Sequence, residues 1–251
     1  MQWTLILEDD ARCGRDNMSI DHGLLQAART GGGFLRLYRW NPPCLSFGRN
    51  EPAKTRYDGD RIRSLGLDTV RRPTGGRAVW HDRELTYAVA APLDTFGSLQ
   101  QTYAAIHHLL AAALRRLGVP ASIAPPPSAR APRLGFGACF AAPMGGEIVV
   151  GERKLVGSAQ LREGDAFLQH GSVLMEEGQD MVARITSGLS SPIAATSLSE
   201  VLQRPPDYQD VARVIATEAE RCWKGSWTRQ TRSPDAAVGD KFGDSCWTWR
   251  R

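Results

Sequence analysis

The segment "RRPTGGRAVWHD", Arg71 to Asp82, gathers three arginines, a histidine and an aspartate around two adjacent glycines and a short apolar pair. Glycines at Gly75 and Gly76 let the backbone approach a ligand closely or turn with positive φ. Arg71, Arg72 and Arg77 around them suit a phosphate or a carboxylate, held by charge-assisted hydrogen bonds. The same composition also describes a solvated hairpin turn. The spacing is neither that of a phosphate-binding loop, Gly-x4-Gly-Lys-Ser/Thr, nor that of a dinucleotide fingerprint. What distinguishes the readings lies elsewhere in the chain.

Working outward, "DTVRRP", "RAVWHD" and "LTYAVAA" read as short strands bracketing the loop, and "FLRLYRW" and "PCLSFGRN" as two more upstream. "DNMSIDHGLLQAARTGGG" reads as a helix capped by Asp16 or Asn17, with Met18, Leu24, Leu25 and Ala28 on one side and glycines from Gly31 ending it. "SLQQTYAAIHHLLAAALRRLG" is a second helix, opened by a Ser98–Gln101 capping box. His107 and His108 lie inside it without a carboxylate at ligand spacing, so both are read as structural. "APPPSARAP" connects within one domain, because the strand-like runs "GACF", "GGEIVVG", "RKLVGSAQ" and "DAFLQHGSVLM" follow it as hairpins. "GQDMVARITSGL" and "DYQDVARVIATEAERCW" read as two closing helices. From Lys224 the chain is polar and aperiodic, which predicts a mobile tail over 224–251 behind one domain over 1–223. Strands and helices without regular βαβ alternation predict an α+β fold with helices on one side of the sheet.

A chain of 251 residues with 42% hydrophobic content supports a sizeable core. No apolar run reaches the roughly 18 residues of a membrane helix. Glu8, Asp9 and Asp10 follow the first apolar patch, unlike a secretory signal, so a cytoplasmic location without membrane attachment is the expectation. Five scattered cysteines without a CxxC pair suggest neither a metal site nor a disulfide framework, and a buried thiol is the default for each. The net charge of +4 comes from arginines spread along the chain rather than a stripe, which argues against nucleic acid and suits an acidic protein partner.

The second informative stretch is "GERKLVGSAQLREGDAFLQHGS". Lys154 precedes Leu155 and Val156, then the small residues Gly157, Ser158 and Ala159, a setting that suits a charge aimed into a cavity. A lysine at a solvent-facing strand edge is the alternative.

Together "RRPTGGRAVWHDRELTYAV", "ERKLVGSAQLREGDAFLQHGS", "NMSIDHGLLQAA" and "YRWNPPCLSFGRNE" resemble the lipoate–protein ligase and octanoyltransferase family, in consistent order from about Trp3 to Ile185. The resemblance implies a single α+β domain around a mixed, largely antiparallel sheet, the biotin/lipoyl ligase fold shared with class II synthetases. It also implies attachment of lipoyl or octanoyl groups to a lysine of a lipoyl domain or of the glycine cleavage H protein. Arg77 stands where ATP-dependent ligases carry a third glycine, and Cys139 sits in a "CF" motif before the "RKLVGSAQ" strand, as in the cysteine-dependent octanoyltransferases. On that resemblance Cys139 takes the octanoyl group from acyl carrier protein as a thioester, and Lys154 raises its thiolate fraction and polarises the acyl carbonyl. Arg72, Thr74, Gly75, Gly76, Arg77 and Ala78, with Gly157, Ser158 and Ala159, are then expected to line the acyl tunnel. His81 is read as structural, and His170 as structural or as an orienting group. No cofactor or metal is expected. ATP and magnesium enter only in the alternative, a lipoate ligase working through lipoyl-AMP. A departure, "AAPMGGE" over Ala141–Glu147, keeps open a third reading, a carrier-binding protein without chemistry.

Overall fold

The computed structural model describes residues 1–125, 145–187, 194–236 and 241–251. The first half of the chain runs β1 (Gln2–Leu7), α1 (Gly14–Ala28), β2 (Gly33–Tyr38), β3 (Cys44–Phe47), α2 (Ala53–Arg56), α3 (Gly59–Ser64), β4 (Asp68–Arg71), β5 (Val79–His81), β6 (Glu84–Pro92) and α4 (Leu99–Arg116). The second half adds β7 (Ser122–Ile123), β8 (Ile148–Val150), β9 (Arg153–Glu163), β10 (Ala166–Leu174), α5 (Asp180–Ile185), α6 (Leu198–Leu202), α7 (Tyr208–Cys222), β11 (Ser226–Gln230) and α8 (Ser245–Thr248). The large sheet has the order β11-β1-β2-β6-β10-β9-β8-β7, and a small one the order β4-β3-β5. In the large sheet β1 pairs parallel with β11 and β2, and the remaining pairs are antiparallel.

The central strand β6 sets the layering. Successive side chains of a strand point to opposite faces. Leu85, Tyr87, Val89 and Ala91 enter a core with Ile106, Leu110 and Leu114 of α4 and Val211 and Ile215 of α7. Ala88 and Ala90 enter a second core with Met18, Leu24, Leu25 and Ala28 of α1. Helices therefore cover both faces, not the one face expected, because β6 is apolar on both sides.

The start of α1 also differs from expectation. Neither Asp16 nor Asn17 caps it; the Asp68 carboxylate, 54 residues away, accepts from Gly14 N at 2.9 Å. α4 begins as expected, with both reciprocal bonds of the Ser98–Gln101 capping box present. Of the described cysteines, Cys44 is buried, Cys13 half-buried, and Cys222 and Cys246 are exposed, so the default of burial fails for three of the four.

The expectation of a mobile tail is corrected. β11 extends the sheet edge, and Trp227 stacks on Trp3 with ring centroids 5.4 Å apart. Phe242 is buried in the α1 core. Arg71, fully buried, explains the rest: its Nε donates to Thr248 O at 2.9 Å, and Nη1 donates to Gly48 O at 2.6 Å and to Glu51 O at 2.8 Å. Trp247 Nε1 donates back to Arg71 O at 2.9 Å. A polar, aperiodic sequence is thus held by tertiary bonds that no local pattern announces. No helix among the described residues is long and apolar enough to cross a membrane.

Replacing Arg71 by Ala strands several buried carbonyls, and an unsatisfied buried polar group costs ~1–3 kcal/mol. Urea unfolding of Arg71→Ala should show a loss of about 2–4 kcal/mol, with faster proteolytic cleavage in 241–251. A loss below ~0.5 kcal/mol would contradict the clamp.

Candidate active site

A cavity opens between the Gly75–Gly76 loop and the middle of β9 and β10. Of the residues expected at the site, Arg72, Gly76, His81, Gly157, Ser158, Ala159 and His170 line it. Met18, Tyr38, Trp40, Val79, Thr86, Gly171 and Ser172 complete the described wall. Thr74, Gly75, Arg77 and Ala78 stand outside that lining. Thr74 is buried behind it, bonded to His170, and Ala78 packs in a separate core with Leu45, Phe47 and Trp80.

Arg71 and Arg72 of the opening segment hold protein rather than ligand. Arg72 Nη1 donates to Ser46 O and Oγ at 2.9 and 3.0 Å, and Nη2 donates to Gly75 O and Arg77 O at 3.0 and 2.6 Å. The guanidinium thus lies under the loop and fixes its shape. Gly76 takes φ +97°, where a side chain would be strained and its Cβ would meet Arg72 Nη2 at 2.7 Å. Arg71 is occupied as described above. The reading of Arg71 and Arg72 as an anion cradle therefore gives way to one in which they build the loop.

Two histidines on the wall are each held between a carboxylate and a hydroxyl. His81 Nδ1 lies 2.7 Å from Glu84 Oε1 and Nε2 lies 2.6 Å from Ser46 Oγ, while Trp40 stacks on the ring at 4.0 Å. His170 Nδ1 lies 2.9 Å from Asp21 Oδ2 and Nε2 lies 2.7 Å from Thr74 Oγ1. Asp21 in turn accepts from Arg36 Nη1 at 2.9 Å and from Tyr38 OH at 2.8 Å. The loop hydroxyl of Thr74 is thereby tied through His170 to Asp21 on α1.

Lys154 is buried, and its Nζ donates to Glu147 Oε1 at 2.6 Å. It does not stand among the described lining residues. Cys139 lies outside the described residues, so its geometry with Lys154 is not on view. Glu147, in the segment that departs from the family pattern, supplies the counter-charge. In the β8–β9 hairpin Val149 pairs with Lys154, which puts Glu147 two positions farther along, at the diagonal where cross-strand partners meet.

Asp21 and Glu84 escaped the sequence reading, and His107 was read there as structural, without its partners. Asp21 had a signal: it falls between Met18 and Leu25 on the apolar side of α1, where a carboxylate must be paired. Glu84 carried only the weak cue of lying three residues from His81. His107 had none, since its partners are remote. Its Nδ1 donates to Gly146 O at 2.5 Å and its Nε2 lies 2.7 Å from Ser158 Oγ. Burial lowers its pKa to about 4, with the Lys154 charge adding to the effect and the Gly146 carbonyl opposing it.

A profile of the Lipoyl protein ligase A/B catalytic domain matches residues 14–220. The chain belongs to this family. Among curated relatives, Octanoyltransferase LipM of Kyrpidia tusciae is 41% identical, with 94% of each chain covered. That of Symbiobacterium thermophilum is 33% identical over 99% of this chain and 98% of its own. That of Moorella thermoacetica is 42% identical over 66% of this chain and 63% of its own, so the matched part spans under two thirds of that relative. Among solved structures, a lipoate-protein ligase A bound with ATP superposes with TM-score 0.73 at 20% identity, covering 93% of this chain and 89% of that one. The bipartite lipoate protein ligase of Thermoplasma acidophilum gives 0.74 at 17%, covering 99% and 96%. These two likenesses show the fold.

Gly171 is a cavity-wall position with no room for a side chain. A Cβ there would meet Gly157 O at 2.4 Å and Ser158 Oγ at 2.5 Å. Gly171→Ala should force β9 and β10 apart and lower transfer activity about tenfold or more, measured as acyl transfer by the folded variant. Unchanged activity would show that the wall yields freely.

Because the folded pKa of His107 is depressed, the unfolded chain binds a proton between about pH 6.5 and 4 that the folded chain refuses. Stability attributable to this group is present above that window and falls by about 3 kcal/mol as pH drops through it. The stability gap between wild type and His107→Asn, from urea unfolding at pH 7 and 4.5, should narrow by ~2 kcal/mol at the lower pH. Parallel pH profiles would refute the assignment.

Proposed function

We propose that the protein moves an octanoyl group from acyl carrier protein, through a thioester on Cys139, to a lysine of a lipoyl domain. The chain is an acyltransferase of protein lipoylation, in line with relatives that match it over nearly their whole length. The observation that carries the thioester reading is the cavity itself. Its wall brings together Met18, Trp40, Val79, Gly157 and Ala159, while the Arg72 guanidinium beneath the loop is engaged by backbone carbonyls. Such a wall accepts an alkyl chain better than a charged phosphate.

In the first half-reaction the Cys139 thiolate attacks the thioester carbonyl carbon, and the carbon–sulfur bond to the carrier breaks as its thiolate leaves. In the second, the neutral lysine amine attacks the new thioester, the Cys139 thiolate departs, and the amine proton balances the departing charge. The first step exchanges one thioester for another, and the second forms a more stable amide. Neither ATP nor a metal is required, since the donor thioester already carries the activation. To Lys154, paired with Glu147 at 2.6 Å, this reading assigns the stabilisation of negative charge that builds on the acyl oxygen. The cytoplasm, where a reactive thiol stays reduced, is the compartment this chemistry needs.

Purified protein mixed with octanoyl–acyl carrier protein should gain one octanoyl group on the fragment containing Cys139, read by mass spectrometry, and Cys139→Ser should lose transfer. Full transfer by Cys139→Ser, or lipoate-dependent release of pyrophosphate from ATP, would replace this mechanism with the adenylate one.

A further inference from the structure

Ser158 on the cavity wall is where two arms of a hydrogen-bond chain meet, and their directions are determined by carbonyls at the two limits. Gln160 Nε2 donates to Leu99 O at 3.1 Å and to Gln169 Oε1 at 2.8 Å. A backbone carbonyl can only accept, so this orientation of the Gln160 amide is fixed. Gln169 Nε2 then donates to Tyr87 OH at 2.9 Å, and the Tyr87 hydroxyl hydrogen is left for Ser158 Oγ, 2.6 Å away. Burial raises the Tyr87 pKa, so the phenol keeps that hydrogen.

From the other end, Gly146 O fixes the hydrogen of His107 on Nδ1. Burial keeps the ring neutral, so Nε2 carries a bare lone pair. Ser158 must donate its single hydrogen to that nitrogen, 2.7 Å away. A serine hydroxyl has one hydrogen and two lone pairs. Ser158 gives the hydrogen to His107 and one lone pair to Tyr87, and it is half-buried on the cavity wall. The second lone pair is what it offers to a substrate.

We infer that Ser158 accepts a hydrogen bond from an N–H group of the substrate, and that His107 is the positioning residue that makes it an acceptor. The inference rests on the acyl-transfer reading of the site. Two N–H groups pass through such a site: an amide of the pantetheine arm on the acyl donor, and the ε-amine of the acceptor lysine. An O–H or N–H donor fits this wall, whereas a carbonyl placed there would face a lone pair without a hydrogen. The titratable groups near the network are Lys154, paired with Glu147, and His108 on α4. None donates to Ser158 among the described contacts.

The two half-reactions test this separately with the full chain. Ser158→Ala is measured in acylation by octanoyl–acyl carrier protein and in discharge of the acyl-enzyme to a lipoyl domain. The half-saturation concentration should rise about threefold to tenfold in one arm, with the maximal rate little changed, as expected for one lost hydrogen bond. A rise in the first arm assigns the pantetheine amide, and a rise in the second assigns the lysine amine. His107→Phe releases the Ser158 hydrogen to turn into the cavity and should reproduce the defect, and His107→Gln, which keeps an acceptor, should restore most of it. No change in either arm, or a fall in maximal rate alone, overturns the proposal. A readout independent of activity is the ¹⁵N spectrum of the His107 ring at pH 7. The hydrogen belongs on Nδ1, and its presence on Nε2 overturns the assigned polarity even if the protein transfers no acyl group. Wild-type protein that fails to acylate, with the hydrogen on Nδ1, refutes the transfer reading and not the polarity of Ser158.

Discussion

The carboxylate of Asp21 is fully buried, and the rest of the site depends on the charge it holds there. A lone carboxylate in such a place would be costly, and removing one member of a buried pair typically costs about 3–5 kcal/mol. Here Arg36, also fully buried, lies 2.9 Å away and is shared with Glu8, so α1, β2 and the segment after β1 are drawn to one point. Tyr38 and His170 complete the set of donors to Asp21. The arrangement converts a penalty into a constraint: any shift of α1 against the sheet uncovers a charge. His170 inherits that rigidity and passes it to Thr74, which is how a loop rich in glycine is kept in one shape.

Local signals made much of this legible before any coordinates. The period-two alternation of "FLRLYRW" is realised as β2, and α4 carries both residues of its capping box, so sequence and structure agree where neighbours in the chain decide the outcome. The loop between β4 and β5 and the small residues of β9 were likewise readable, because glycine and serine clusters mark places where a backbone comes close to something else. The family profile and its curated relatives support the resemblance drawn from those same stretches.

What was not legible has a common cause. β11 reads "SWTRQ", a largely exposed edge strand with no apolar period, and it is a strand because β1 offers a free edge. The α1 amide is capped by Asp68 and His107 is paired with Ser158, partners 54 and 51 residues distant. The arginines of the loop misled for the same reason. A guanidinium flanking two glycines looks available for an anion, and only the fold shows that its donors already meet carbonyls. Long-range hydrogen bonds leave no periodic trace, so polar residues are the ones whose roles must wait for three dimensions.

The pairing of β1 with β11 carries a further implication for how the chain is made. Gln2 stands opposite Ser226, so the outer edge of an early, apolar strand waits for a partner more than two hundred residues later. At ordinary synthesis rates that interval is about 10–45 s, during which "QWTLIL" presents unpaired amides and carbonyls. Open edges of this kind template association with other chains. The same stacking of Trp3 on Trp227 that finishes the sheet therefore closes a window of vulnerability, and it does so late in the birth of the molecule.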